Sequence, residues 1–286
     1  MIERISRNIH KVAVDKSQLF LLLSDLHWDN PKCERDLLKR HLKQARERGA
    51  KIVINGDFFC MMQGKYDPRR SKKDILPEHN KANYIDAVVE DAVKWWTPYA
   101  DMILLIGYGN HETAIIKNLE TDPLQRFVDL LNMTCGTNVQ VGGYGGVLDF
   151  KITNAANGGT KVVMKYYHGF GGGGAVTKGV IQDQRMVAQL DGYDIIWMGH
   201  VHESYHHVNM VDSYDSAKFE INHKEVHQLR TAAYKEEYED GFGGFHIERG
   251  RPVKPLGGYW MTLSSNRRQE QGYRKLSAEI SFTKTD

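Results

Sequence analysis

Short apolar runs recur along the first part of the chain, and each ends in a polar or glycine-containing turn. Positions 19–23, 50–55, 101–106, 161–167 and 193–198 are rich in aliphatic and aromatic side chains without helical spacing. Near-continuous apolar runs of this length are the mark of strands buried on both faces. Helical patterns separate them. In 34–49, Leu37, Leu38, Leu42 and Ala45 fall on one face and Gly49 supplies a stop, which predicts an amphipathic helix with His41 at its surface. In 81–99 the stripe is Ile85, Val88, Val89, Ala92 and Trp96, and a further helix over 113–131 is broken near Pro123. Strand, helix and strand in succession are the βαβ plan of a layered α/β protein, whose sites gather beyond the carboxyl ends of the strands.

After Asn132 the pattern changes. Short β-like pieces cover 139–141 and 147–153, a helix is expected over 176–190, and beyond Glu203 mostly strands and turns follow, among them 218–222, 258–263 and 277–282. With no repeat or low-complexity linker, the expectation is one domain over 1–286, with a core at about 19–203 and a β-rich part at 204–286.

Composition narrows the class only slightly. The 286 residues are 41% hydrophobic and 26% charged with a formal net charge of +2, so no global field marks nucleic acid or membrane as a partner. No apolar run approaches the roughly 18 residues of a membrane span, and the opening MIERISRNIHK lacks the apolar stretch of a signal peptide. Three cysteines, Cys33, Cys60 and Cys135, without a C-x-x-C pair, argue against a disulfide framework and for a reducing, cytoplasmic compartment.

The chemistry collects at the strand ends: Asp25 and His27, Asp57, Asn110 and His111, His168, then His200 and His202. Period 2 of an extended strand sends Asp25 and His27 to one side, and the adjacent glycines allow tight turns there. Each residue alone has an ordinary explanation as a helix cap, turn residue or surface imidazole. The ordered set of nitrogen and oxygen donors without thiolate is a metal-ligand set, suited to manganese, iron, nickel or zinc better than to magnesium alone.

The blocks D-L-H, G-D, G-N-H-E, an isolated H-G, and G-H-V-H resemble the five-block signature of calcineurin-like metallophosphoesterases, from Leu19 to Glu203. That resemblance implies a four-layer α/β/β/α sandwich with two mixed β-sheets and a metal site at the strand C-terminal ends. It implies that Asp25, His27 and His202 hold one divalent ion, that Asn110, His168 and His200 hold a second, and that Asp57 bridges them, with manganese the first choice. His111 takes the part of proton donor to the leaving oxygen.

Departures from subfamily patterns narrow the substrate. Asp57 leads into Phe58-Phe59-Cys60 rather than the V-D-R-G run of protein serine/threonine phosphatases, and His111 stands where lipid-A-pathway pyrophosphohydrolases carry arginine. G-D-F-F is similar to the G-D-L-F of the superfamily's DNA-repair exonucleases, although their following aspartate is Cys60 here. A phosphodiesterase acting on DNA, RNA or a nucleotide is therefore expected, with a phosphomonoesterase and a non-catalytic scaffold as the alternatives. A basic excursion in 60–80, with Lys65, Arg69 and Arg70, and the later Arg267, Arg268, Arg274 and Lys275 are candidate backbone contacts. Tyr108, Tyr167 and Trp28 are candidate stacking platforms. His206, His207, His223 and His227 are expected on exposed strands, and 234–260 reads as a structured loop that shapes access to the site.

Overall fold

The structure is a computed structural model that describes residues 1–61, 74–154, 158–242, 245–270 and 273–286. Alternation along three central strands divides the apolar side chains between two faces. In β3 (Ser17–Leu23), Leu21 and Leu23 point one way and Phe20 and Leu22 the other; in β4 (Lys51–Ile54), Ile52 and Ile54 oppose Val53. β5 (Ile103–Ile106) completes the parallel trio. Both faces are buried, which is why these strands read as unbroken apolar runs.

One face packs against α1 (Arg35–Glu47), α2 (Tyr84–Trp96) and α4 (Pro123–Cys135), which contribute Leu38, Leu42, Val88, Trp96, Phe127 and Leu131 to a shared core. α3 (Asn110–Leu119) leaves the end of β5 and stops before Pro123, so the expected break is present. The opposite face packs on a second sheet. Its inward side chains include Val12 and Val14 of β2 (Ile9–Asp15), Leu148 and Phe150 of β7 (Gly145–Asn154), Met164 of β8 (Gly158–Tyr167) and Trp197 of β9 (Ile195–Met198).

The first sheet has six strands in the order β13–β12–β3–β4–β5–β6, with β6 at Gln140–Val141 and the hairpin β12 (Tyr259–Glu270) and β13 (Tyr273–Lys284) flanking β3. The second has seven, in the order β1–β2–β7–β8–β9–β11–β10, with β1 at Ile2–Ser6, β10 at Tyr205–Asp215 and β11 at Glu220–Arg230. Both sheets mix parallel and antiparallel pairs. α5 (Val180–Gln189) lies on the outer face of the second sheet, joined by Gln184 Nε2 to Gln228 Oε1 at 2.8 Å and by the buried Asp183–Arg230 pair. The result is the expected α/β/β/α layering, with a fourth layer much thinner than the first. Among the described residues, no helix is long and apolar enough to cross a membrane.

Several expectations need correcting. Residues 2–15, left out of the core on sequence, form two strands of the second sheet; β2 alternates strictly, with its outer positions exposed and Val12 and Val14 inside. The strand expected at 218–222 begins two residues later than expected: Lys218 and Phe219 lie in the β10–β11 turn, and 220–222 open β11. His41 is not at a surface. It is fully buried, with Nδ1 2.6 Å from the Tyr234 hydroxyl and Nε2 2.7 Å from the backbone oxygen of Asp286. Trp28 is equally buried, edge-on to Trp95 and beneath the Arg35 guanidinium at 4.1 Å, so it offers no face for stacking a base. His227 is also buried and His206 half-buried, their rings stacked 5.3 Å apart.

Candidate metal centre

Seven predicted donors come together at one end of the two sheets, carried on the loops that leave β3, β4, β5, β8 and β9. Asp25, His27 and His202 form one group of mutually close donor atoms, and Asp57, His168 and His200 form another. His27 Nε2 lies 3.4 Å from His202 Nε2, and His202 Nε2 lies 3.5 Å from Asp25 Oδ1. In the second group His168 Nε2 is 3.3 Å from Asp57 Oδ2, and Asn110 Oδ1 is 2.8 Å from His200 Nδ1 and 3.3 Å from His168 Nε2. Asp57 Oδ2 also stands 4.0 Å from His27 Nε2, so it faces both groups.

The route by which Asp25 and His27 meet differs from the strand alternation expected. β3 ends at Leu23, and both residues lie beyond it in left-handed backbone, with φ of 52° and 46°. Asp57, His200 and His202 share that conformation, with φ of 48°, 72° and 56°. Non-glycine residues seldom adopt it, and clusters of such strain mark functional sites. The neighbouring glycines answer a different need, close approach. A Cβ at Gly109 would stand 2.0 Å from Asp57 Oδ1, and one at Gly199 would stand 2.6 Å from Asp25 Oδ2. Each of these glycines admits the carboxylate of a different block.

Backbone groups fix the imidazoles. A carbonyl oxygen only accepts, so His168 Nδ1–H donates to Asn55 O at 2.9 Å and His200 Nε2–H donates to Gly171 O at 2.9 Å. The other nitrogen of each neutral ring then turns a lone pair toward Asn110 Oδ1 and the carboxylates. Acceptors facing acceptors across about 3 Å call for a cation between them. Without a metal, a proton fills that need in part. Burial opposes charge on His168, yet Asp57 and Asp25 outweigh it and push its pKa up to about 10. Burial likewise opposes charge on Asp25, but His168 and His202 hold its pKa down at about 2. The donor set and its orientation therefore fit divalent ions.

The carboxylates are anchored as well. Asp57 Oδ1 accepts from the His111 backbone N–H at 2.9 Å, and Asp25 Oδ2 from that of His200 at 2.9 Å. Glu112, buried, accepts from the backbone N–H groups of Phe59 at 2.8 Å and Gly109 at 2.8 Å, tying the Asp57 loop to the start of α3. Burial, and then the Asp57 charge, push its pKa up to about 8. His111 is 8% exposed and donates Nδ1–H to Cys60 O at 2.6 Å, which leaves Nε2 as its lone-pair nitrogen. Its ring meets that of His27 edge-on at 4.7 Å, and His27, Cys60 and His111 make a third close group.

Sequence reading missed the supports. Glu237 faces His202 Nδ1 at 3.7 Å, and the largely buried Lys235 pairs with Glu237 at 2.8 Å. Arg230 and Asp183, both fully buried, form an ion pair in which Arg230 also donates to Gly199 O, directly ahead of His200. Breaking such a pair by removing one partner costs about 3–5 kcal/mol. Glu237 falls in the 234–260 stretch read as a loop shaping access to the site, where nothing singles it out from its acidic neighbours. The carbonyls of Asn55, Gly171 and Cys60 have no side-chain letter to announce them. Of the predicted substrate contacts, Tyr108 lies half-buried two residues ahead of Asn110. Lys65, Arg69 and Arg70 lie outside the described residues, as do the side chains of Arg267, Arg268, Arg274 and Lys275.

No family model matches the chain, and no curated protein matches it. Among solved structures, the chain is similar to vacuolar protein sorting 29 from Cryptosporidium parvum, at 14% identity and a TM-score of 0.34, covering 95% of this chain and 100% of that one. It is also similar to GAP50, described as the anchor in the inner membrane complex of Plasmodium, at 10% identity and a TM-score of 0.41, covering 92% and 84%. At these TM-scores neither likeness bears on what the chain does.

Proposed function

We propose that the chain is a metal-dependent phosphodiesterase of the calcineurin-like metallophosphoesterase type, acting on nucleic acid or nucleotide phosphodiesters. The observation that carries this reading is the pair of donor groups facing one shared carboxylate, with the lone pairs of His168 and His200 turned inward and Asp57 Oδ2 between His168 and His27. Asp25, His27 and His202 would hold one divalent ion, and Asn110, His168 and His200 the other, with Asp57 between them. Bound there, two such ions supply a nucleophile at neutral pH and neutralise charge on the phosphoryl oxygens. Manganese is the proposed metal, with iron, nickel or zinc as alternatives.

The chain's own residues do the rest. Two carboxylates against two dications leave the centre positive, which favours an anionic ester. His111, its Nδ1 proton committed to Cys60 O, presents Nε2 for proton transfer, and protonated there it donates to the departing alkoxide. The left-handed turns and backbone anchors keep the donors in place before substrate arrives.

The test compares hydrolysis of bis-p-nitrophenyl phosphate and p-nitrophenyl phosphate with manganese present, for the wild type and His111→Ala. Diester preference, with a loss of about a hundred-fold in His111→Ala, is expected for an imidazole acting as general acid. Monoester preference would move the reading to a phosphomonoesterase. Two bound ions with no turnover of either ester would make the chain a binding protein.

A further inference from the structure

Beside the donor centre, a cavity of about 710 Å³ opens between the β1–β2 turn and the start of α3. Its volume falls in the range of roughly 300–1,000 Å³ that encloses small organic ligands. The wall next to the centre carries Tyr108, in the loop that delivers Asn110, and Tyr144, whose ring meets that of His168 at 5.4 Å. Both hydroxyls are engaged: Tyr108 donates to Asp122 Oδ2 at 2.5 Å, and Tyr144 to Gly169 O at 2.7 Å. The rings are thereby fixed against the cavity.

The hairpin wall carries Arg4, Arg7 and Asn8, all exposed. The turn is pinned by Val147 N–H donating to Asn8 O at 2.8 Å, and the Tyr108 loop by its own N–H to Gly143 O at 3.1 Å. Asp122 is the one carboxylate among the described lining residues on the Tyr108 side, and it already accepts from Tyr108 and from Gln125 N–H, as the cap of α4. The two guanidiniums therefore give the cavity a positive wall, and a guanidinium suits a phosphate geometrically as well as by charge.

We infer that this cavity is the subsite for the nucleotide on one side of the reacting phosphate, with its rings against Tyr108 and Tyr144 and a second phosphate against Arg4 and Arg7. The inference rests on the phosphodiesterase reading above and adds to it a substrate class, a nucleotide diester bearing a further phosphate.

The experiment compares three thymidine dinucleotides, one without a terminal phosphate, one with it at the 5′ end and one with it at the 3′ end. In the wild type, one phosphorylated form is expected to exceed the bare dinucleotide in kcat/KM by about ten-fold, the scale of one charge-assisted hydrogen bond. In Arg4→Ala/Arg7→Ala that ratio falls to about one, and Arg4→Lys/Arg7→Lys restores part of it. A wild type indifferent to both terminal phosphates, or a preference that survives in the alanine variant, overturns the subsite. If no diester at all is turned over, the phosphodiesterase reading fails by itself. Equilibrium binding of thymidine 3′,5′-bisphosphate then decides the cavity: binding lost in the alanine variant upholds it, and binding absent or unchanged refutes it.

Discussion

The two halves of the donor centre are built by different means. In the half made of Asn110, His168 and His200, both imidazoles donate to main-chain carbonyls, those of Asn55 and Gly171. In the half made of Asp25, His27 and His202, the outward nitrogens have no such anchor. Nδ1 of His27 is buried with no hydrogen-bond partner among the described residues, and Nδ1 of His202 faces the Glu237 carboxylate at 3.7 Å. A main-chain carbonyl cannot be mutated away, whereas a carboxylate on a distant loop can be. The first half is thus fixed by the fold, and the second depends on the Lys235–Glu237 segment for its orientation and charge.

Three measurements sharpen or break that contrast. The largest effect is expected from His168→Ala, which removes the imidazole standing between Asp25 and Asp57. Diester hydrolysis should fall by at least about a hundred-fold, the scale of one lost charge-stabilising group, and titration of manganese into chelator-treated protein should lose its tighter step. Retention of both steps would mean that His168 is no ligand.

An intermediate effect is expected from Glu237→Gln. Affinity at the Asp25, His27 and His202 half should weaken by about ten-fold, as for other partners of ligating histidines, with the other half unchanged in the same titration. Equal weakening of both steps would show that the halves are not independent.

The smallest effect concerns pH in the metal-free protein. His168 has its pKa raised to about 10 from the ordinary 6.5 of a histidine, so its charge stabilises the fold fully below pH 6.5. That contribution is lost as pH rises from 6.5 towards 10. Asp25, lowered to about 2 from 3.8, contributes above its unfolded value and loses that contribution only as pH falls through this acid window. Chelator-treated protein should therefore melt a few degrees lower at pH 9 than at pH 6.5, and manganese, which displaces the proton, should flatten that slope. Equal slopes with and without metal would argue against ions at His168.

The clustering of these candidate donors was legible in the sequence because donor chemistry resides in side chains, and its residue types recur at the ends of apolar runs. The layering was legible for a similar reason: Phe20 to Leu23 and Ile52 to Ile54 are apolar without interruption because both sheet faces are covered. Conformation was less so. The two-residue spacing of Asp25 and His27 suggested strand alternation, and the same convergence is reached by left-handed turns that no residue type announces. The second sheet was read poorly at both its edges, since β1, β2 and the outer part of the β10–β11 hairpin expose so much polar surface that their patterns resemble loops. His41 and Trp28 show the converse error, each buried by segments remote in sequence or by neighbouring helices.

The position of β3 has a consequence for how the chain is made. This strand, which delivers the loop bearing the first donors, lies between β4 and β12, and β12 is encoded far downstream, at Tyr259–Glu270. On the ribosome, β4 and β5 can dock beside β3 early, yet its other edge stays bare until the β12–β13 hairpin emerges. An apolar strand with an open edge is a template for pairing with another nascent chain. Translation speed through the intervening residues thus sets how long that edge is exposed, and with it the demand this protein places on chaperones.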